Sequence, residues 1–159
     1  LDNDPAARGA LLGLTLETTT AQIARALVEA SGFELAKIRA ALAERGVEPV
    51  DVHAVGGGSA NLGALQARSD AAGVPLRAVV REAAGRGAAL LAALGAGTFA
   101  SVLDLPAPAV VHEASPDPRH AAWYARQRAT FDSLHQLLTP VSTSLAVETV
   151  DGTALKEIA

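Results

Sequence analysis

The sequence predicts an α/β fold. Short apolar runs alternate with long amphipathic segments, glycines mark most of the changes, and 50% of the 159 residues are hydrophobic, enough for the core of one ordinary domain. The elements follow in order. Ala10 to Leu16 reads as a strand between Gly9 and Glu17. Thr18, Thr19 and Thr20 offer N-caps for a long helix from about Ala21 to Arg45, because a hydroxyl can accept from the unpaired N–H groups of a first turn. Ile23, Leu27, Phe33, Leu35, Ile38 and Leu42 give that helix an apolar stripe near helical period, and Gly46 stops it. Asp51–Val55 is the second strand and Leu62–Ala72 the second helix, which ends at Gly73. Pro75 leads into a third strand, Leu76–Val80, and Ala83 to Leu94 forms a third helix made largely of alanine and leucine.

Asp104 to Pro118, with Pro106, Pro108, Pro116 and Pro118, reads as loop. Arg119 to Leu138 predicts a last helix resting on Trp123, Tyr124, Phe131, Leu134 and Leu138. After Pro140, Val141 to Val150 has strand-like composition, and Asp151-Gly152 reads as a turn.

Composition excludes several classes. The chain has no cysteine, which removes disulfides and thiolate metal sites. A formal charge of −4 gives no electrostatic reason to expect nucleic acid. No uninterrupted apolar stretch approaches the roughly 20 residues that span a bilayer, and no signal-peptide pattern opens the chain. A cytoplasmic protein is expected. The absence of methionine, position 1 included, gives the further expectation that this polypeptide is not a complete translation product.

The most informative stretch is Val55-Gly56-Gly57-Gly58-Ser59-Ala60-Asn61, between a strand and a helix. Glycine lacks Cβ, so the backbone there can turn and a ligand can approach it closely. The helix that follows offers unpaired N–H groups and a partial positive charge. Asn61 stands at the N-cap position. Such junctions are also ordinary connections, and both readings of the turn stay open on these residues alone.

Gly85 and Gly87, inside the third helix, are expected to permit close packing of that helix on the sheet, since glycine there costs about 1 kcal/mol against alanine. Gly95-Ala96-Gly97-Thr98-Phe99-Ala100 fits a G-x-G-x-x-A fingerprint but lacks the preceding strand that this motif requires. A G-x-x-x-x-G-K-[S/T] loop does not occur. Glu29 can pair with Arg25 one turn earlier as a helix-surface interaction, and structural roles are expected for Asp70 and Glu82. His53, His112, His120 and His135 show no metal-ligand spacing, and Ser142 and Ser144 lack a nucleophile elbow. No catalytic residue and no metal ligand is assigned within the chain.

Taken together, Asp4-Pro5-Ala6-Ala7-Arg8-Gly9, Gly13-Leu14-Thr15, Arg25-Ala26-Leu27-Val28-Glu29, the Gly56–Asn61 turn, Ser69-Asp70-Ala71-Ala72-Gly73-Val74-Pro75 and the run from Glu82 to Gly97 resemble the C-terminal region of the FGGY carbohydrate kinases. This is the family of xylulokinase, gluconokinase and glycerol kinase. The departures are Ala30-Ser31, where many members have glycine after the glutamate, and Ser69, where many have alanine. The resemblance implies part of an actin-like (ribonuclease H-like) ATPase domain, its later strands and helices only. It divides the chain into an incomplete domain over residues 1–139 and a tail of unassigned role over 140–159.

The resemblance implies an ATP-dependent kinase that phosphorylates a sugar or polyol, with xylulose or gluconate favoured. ATP and Mg2+ are the implied cofactors, the Mg2+ held mainly by upstream residues. Gly57 would back the adenosine and Asn61 would hydrogen-bond it, while Gly56 and Gly58 serve the turn. The aspartate base and phosphate loop are expected upstream, so these residues alone are expected to be inactive. The implied partners are the nucleotide, a small sugar or polyol, and either an upstream N-terminal region, a second chain or a homodimer mate. A non-catalytic nucleotide-binding or interaction domain with the same half-fold is the alternative.

Overall fold

The computed structural model describes residues 8–49, 51–79 and 82–150, without side-chain detail at 143 and 145–150. Its elements in chain order are helix α1 (Thr20–Ala43), strand β1 (His53–Ala54), helix α2 (Leu62–Ala72), strand β2 (Leu76–Val79), helix α3 (Ala83–Gly95), strand β3 (Val110–Ala114) and helix α4 (Ala121–Val150). The α/β alternation expected from the sequence is present.

Helix α1 starts where the threonines place it. Thr19 and Gln22 form a reciprocal capping box, with the Thr19 hydroxyl accepting from the Gln22 N–H and the Gln22 side chain accepting from the Thr19 N–H. Helix α2 has the predicted bounds, capped by Asn61 and ended by Gly73 at φ 71°, a left-handed conformation that favours glycine. It is the crossover between β1 and β2, which pair in parallel with His53 opposite Arg77. Strand β3 runs antiparallel to β2, with Leu76 opposite Ala114 and a register irregularity between Ala78 and Val79. The order is β1-β2-β3.

Three layers result. Leu65, Ala72 and Val74 bury against Leu76, Ala78 and Ala114, with Leu35 of α1 packed on the same cluster. On the other side of α2, Phe33, Ala71 and Tyr124 bury together with Phe131 beside them. Helix α2 is thus held between the sheet and the α1–α4 pair. Ser69, fully buried, shares its one hydroxyl proton between the Val74 carbonyl at 2.7 Å and the Ala114 carbonyl at 3.1 Å and ties the end of α2 to β3. Among the glycines of the described residues, Gly32 of α1 is the most tightly enclosed: a Cβ there would lie 2.7 Å from Ala71 Cβ and 2.8 Å from the Arg68 carbonyl oxygen.

Four expectations change. Ala10–Leu16 forms no strand: Gly13 takes φ 75° and breaks the extended run, and Leu11, Leu12, Leu14 and Leu16 are exposed. The proline-rich stretch contains β3, because Val110–Ala114 lies between Pro108 and Pro116, and its N–H groups are free to pair with β2. Residues 141–150 continue α4 as helix instead of forming a strand, with Pro140 inside it. The helix penalty of β-branched residues is only tenths of a kcal/mol, and an established helix extends one bond per residue. Among the described residues, Gly85 and Gly87 make no close approach, since a Cβ at either meets nothing within 4 Å. Helix α3 has no buried residue and is tied instead by Arg86, which donates to the Pro106 and Ala107 carbonyls.

The expectations for Asp4–Ala7, for Val80 at the end of β2 and for the Asp151-Gly152 turn fall outside the described residues. Among the described residues, no helix is long and apolar enough to cross a membrane.

Candidate functional site

The glycine turn sits at the carboxyl end of parallel strand β1 and opens helix α2. In α/β sheets this is where ligands lodge, beyond the strand ends. Gly56 has φ 84° and ψ −179°, a conformation in which a side chain would be strained. Gly57–Ala60 form a single 3-10 turn. Ser59, buried beneath it, donates both its N–H (3.1 Å) and its hydroxyl (2.7 Å) to the Gly56 carbonyl. At Gly57, a Cβ would meet nothing within 4 Å among the described residues, so that face of the turn is open there. At Gly58, a Cβ would lie 3.6 Å from Arg68 Nη2.

Asn61 is exposed, and its Oδ1 accepts from the Ala64 N–H at 3.0 Å as the N-cap of α2. That use of the oxygen directs the Nδ2 group away from the helix. The four residues singled out in the sequence, Gly56, Gly57, Gly58 and Asn61, therefore form one surface: an open backbone face with an amide donor at its edge. Such a surface can receive a flat, uncharged group by contact and hydrogen bonding. It carries no acid or base.

Arg68 was not legible as part of this surface. Its Nη1 donates to the Gly58 carbonyl at 3.1 Å and its Nε to the Ser31 hydroxyl of α1 at 3.0 Å. Only the packing of α1 on α2 brings Ser31 and Gly58 to one guanidinium, and no local pattern signals it.

The other polar residues lie elsewhere. Glu29 is buried, contrary to its reading as a helix-surface partner of Arg25, because Tyr124 of α4 covers it. Tyr124 donates its hydroxyl to Glu29 Oε1 at 2.7 Å, Arg25 Nε donates to the same oxygen at 2.7 Å, and Arg25 Nη2 reaches the Tyr124 oxygen at 3.1 Å. The Glu29 carboxylate and the Tyr124 oxygen hold the Arg25 guanidinium well above its ordinary range. Burial, with the Glu29 carboxylate second, pushes the Tyr124 phenol up. The network locks α1 to α4.

Asp70 is buried at the far end of α2, where Oδ1 accepts from Gln66 Nε2 and from the Asp117 N–H, both at 2.8 Å. It fixes the approach to α4, a structural role. Glu82 is exposed and makes no side-chain cap for α3. Gly95–Ala100 follows a helix and leads into turn and bend, so neither neighbour required by the dinucleotide fingerprint is there. Among the described residues, no group of three or more His, Cys, Asp or Glu is placed to hold a metal ion.

Comparison with known proteins puts this geometry in a family. Residues 1–96 match the FGGY family of carbohydrate kinases, C-terminal domain. The chain is 44% identical to a glycerol kinase of Rhodospirillum rubrum over 104 residues, covering 64% of this chain and 21% of that protein. With a glycerol kinase of Deinococcus radiodurans it shares 39% identity over 104 residues, covering 64% and 21%. The structure superimposes on a xylulose kinase from Rhodospirillum rubrum with a TM-score of 0.72 at 28% identity, covering 87% of this chain and 29% of that one. A gluconate kinase from Lactobacillus acidophilus gives 0.71 at 25% identity, covering 85% and 28%. The chain spans about a fifth of the length of the curated relatives it matches (21% of the first). The α/β backbone is that of the FGGY kinases, in the actin-like class that the sequence predicts. With well over half of its residues matching that domain, the chain belongs to the FGGY family of carbohydrate kinases.

Proposed function

We propose that this chain is the C-terminal, nucleotide-binding part of an ATP-dependent carbohydrate kinase and that the turn Gly56–Gly58 with Asn61 forms the adenosine side of its ATP site. The observation that carries the reading is the open face at Gly57, beside an Asn61 amide whose oxygen is already committed to the helix. The adenosine lies against Gly57, where no Cβ intervenes, and Asn61 Nδ2 donates to it. Gly56 supplies the left-handed turn that aims this face outward. Binding there orients the nucleotide, and in phosphoryl transfer orientation and electrostatics are most of catalysis.

The base that takes the acceptor hydroxyl proton and the loop that holds the phosphates belong, on this proposal, to polypeptide upstream. Mg2+, on the same proposal, is held mainly by upstream residues. Expressed alone, the 159 residues transfer no phosphoryl group. On this proposal residues 1–139 form the kinase domain portion and 140–159 a tail, the first part of which continues helix α4. Glycerol is the first acceptor to assay, because the sequence relatives at 44% and 39% identity are named glycerol kinases. Xylulose and gluconate, favoured by the sequence reading, come next and have their support in the structural likenesses at 28% and 25% identity.

Gly57→Val in the full-length protein tests the site. The branched side chain fills the open face and raises the KM for ATP at least ~10-fold, about 1.4 kcal/mol of binding, while affinity for the acceptor alone is unchanged. Unaltered ATP kinetics in a folded variant would reduce the turn to a connection. A wild-type protein that binds ATP but phosphorylates none of the three acceptors would favour the non-catalytic alternative.

A further inference from the structure

The turn after β1 has three glycines in succession, and glycine has the most conformational freedom to lose on ordering. Its own bonds, from Ser59 to the Gly56 carbonyl, close the turn without fixing how it faces the rest of the protein. Arg68, two turns into α2, supplies that connection. Its Nη1 donates to the Gly58 carbonyl and its Nε to the Ser31 hydroxyl, which in turn donates to the Val28 carbonyl of α1 at 2.6 Å. The peptide between Gly58 and Ser59 is therefore held at both ends, its carbonyl by Arg68 and its N–H by Gly56. A peptide plane pinned this way sets the direction in which the open face at Gly57 points.

We infer that Arg68 is a positioning residue for the nucleotide turn, and that Ser31 acts through it to couple the turn to α1. The inference rests on the adenosine reading of Gly57 proposed above. The guanidinium fork suits the task because one planar group reaches two acceptors in fixed geometry. A lysine gathers its three donors on one freely rotating nitrogen, without a fixed fork, and holds the turn less well. Ordering the turn before the ligand arrives removes a cost that binding would otherwise carry.

The test is calorimetric titration of the full-length protein with ADP, alongside thermal melting and amide exchange at Ser59. Arg68→Ala is expected to weaken ADP binding about 10-fold, a loss of preorganisation, and to accelerate Ser59 exchange without a matching loss of melting temperature. Arg68→Lys falls between Ala and wild type. Ser31→Ala weakens ADP by a smaller factor and adds nothing in the Arg68→Ala background, as expected for two groups acting in series. Gly57→Val separates the two claims. If it weakens ADP while Arg68→Ala and Ser31→Ala do not, the positioning role is overturned and the site reading stands. If Gly57→Val, folded, leaves ADP affinity unchanged, the site reading fails and the inference falls with it. Should Arg68→Ala not fold, Ser31→Ala decides: wild-type affinity and wild-type Ser59 exchange in that variant overturn the inference.

Discussion

Gly32→Ala should destabilise the protein although alanine is the better helix former, and the reversal of sign tests the packing of α1 on α2. In an unobstructed helix the change gains up to about 1 kcal/mol. At Gly32 the new Cβ lands 2.7 Å from Ala71 Cβ, 2.8 Å from the Arg68 carbonyl oxygen and 3.2 Å from Arg68 Cα. Carbon atoms prefer separations of about 3.5–4.0 Å, so the two helices must part by roughly 1 Å. Overpacking costs about 1–3 kcal/mol. Two of the three obstructing atoms are backbone and cannot rotate away, which places the cost in the upper part of that range. The net effect is a loss of about 1–2 kcal/mol after the propensity gain is subtracted. Gly85→Ala in α3 is the control, because a Cβ there meets nothing within 4 Å, and it should be neutral or stabilising by up to about 1 kcal/mol. Urea unfolding should separate the two variants by roughly 1 M in midpoint. A Gly32→Ala protein as stable as the Gly85→Ala protein would refute the close α1–α2 contact.

Tyr124→Phe keeps the ring and removes the hydroxyl bond to buried Glu29, leaving that carboxylate, among the described residues, with Arg25, whose side chain is 62% exposed. A hydrogen bond to a charged group contributes about 1.5–3 kcal/mol, so melting should fall by roughly 3–12 °C; a fall under about 1 °C would show that Tyr124 is dispensable to Glu29. The 159 residues contain a single tyrosine, so alkaline phenolate absorbance of the chain reports Tyr124 alone, and ionisation is expected above the usual value of about 10 because burial and then Glu29 oppose it. Above that pH the unfolded chain loses the proton first, so stability falls as pH rises; ordinary ionisation would contradict the burial. Asp117 carries the opposite sign: Arg119 holds its carboxyl down to about 2, so its contribution is complete above about 4 and is lost as pH falls towards the folded value, where the unfolded chain protonates first. Carboxyl NMR titration checks it, and a midpoint near 4 would exclude the pairing.

Helix α2 was legible to the residue because both ends carry local chemistry, the Asn61 cap and the left-handed Gly73. Helix α1 was legible from the Thr19 cap to within two residues at its far end. What failed depended on partners far along the chain. Val110–Ala114 is a strand because β2 offers it a ladder, and the flanking prolines hid that from a local reading. Ala10–Leu16 has strand composition, but Gly13 turns it at φ 75°. The glycine of close approach is Gly32, opposite Ala71 thirty-nine positions later, whereas Gly85 and Gly87, more conspicuous in the sequence, face open space. The junction that holds Gly56–Asn61 could be read locally, since strand, glycine turn and capped helix are all local signals. Arg68 and the burial of Glu29 under Tyr124 could not, because each requires knowing which helices touch.

A crystal structure of the full-length protein with ADP would test the nucleotide assignment most directly. The adenosine should lie in van der Waals contact with Gly57 and within hydrogen-bond distance of the Asn61 side-chain amide, with the Arg68–Gly58 bond retained. ADP bound elsewhere, with the Gly56–Asn61 turn facing only solvent, would contradict it.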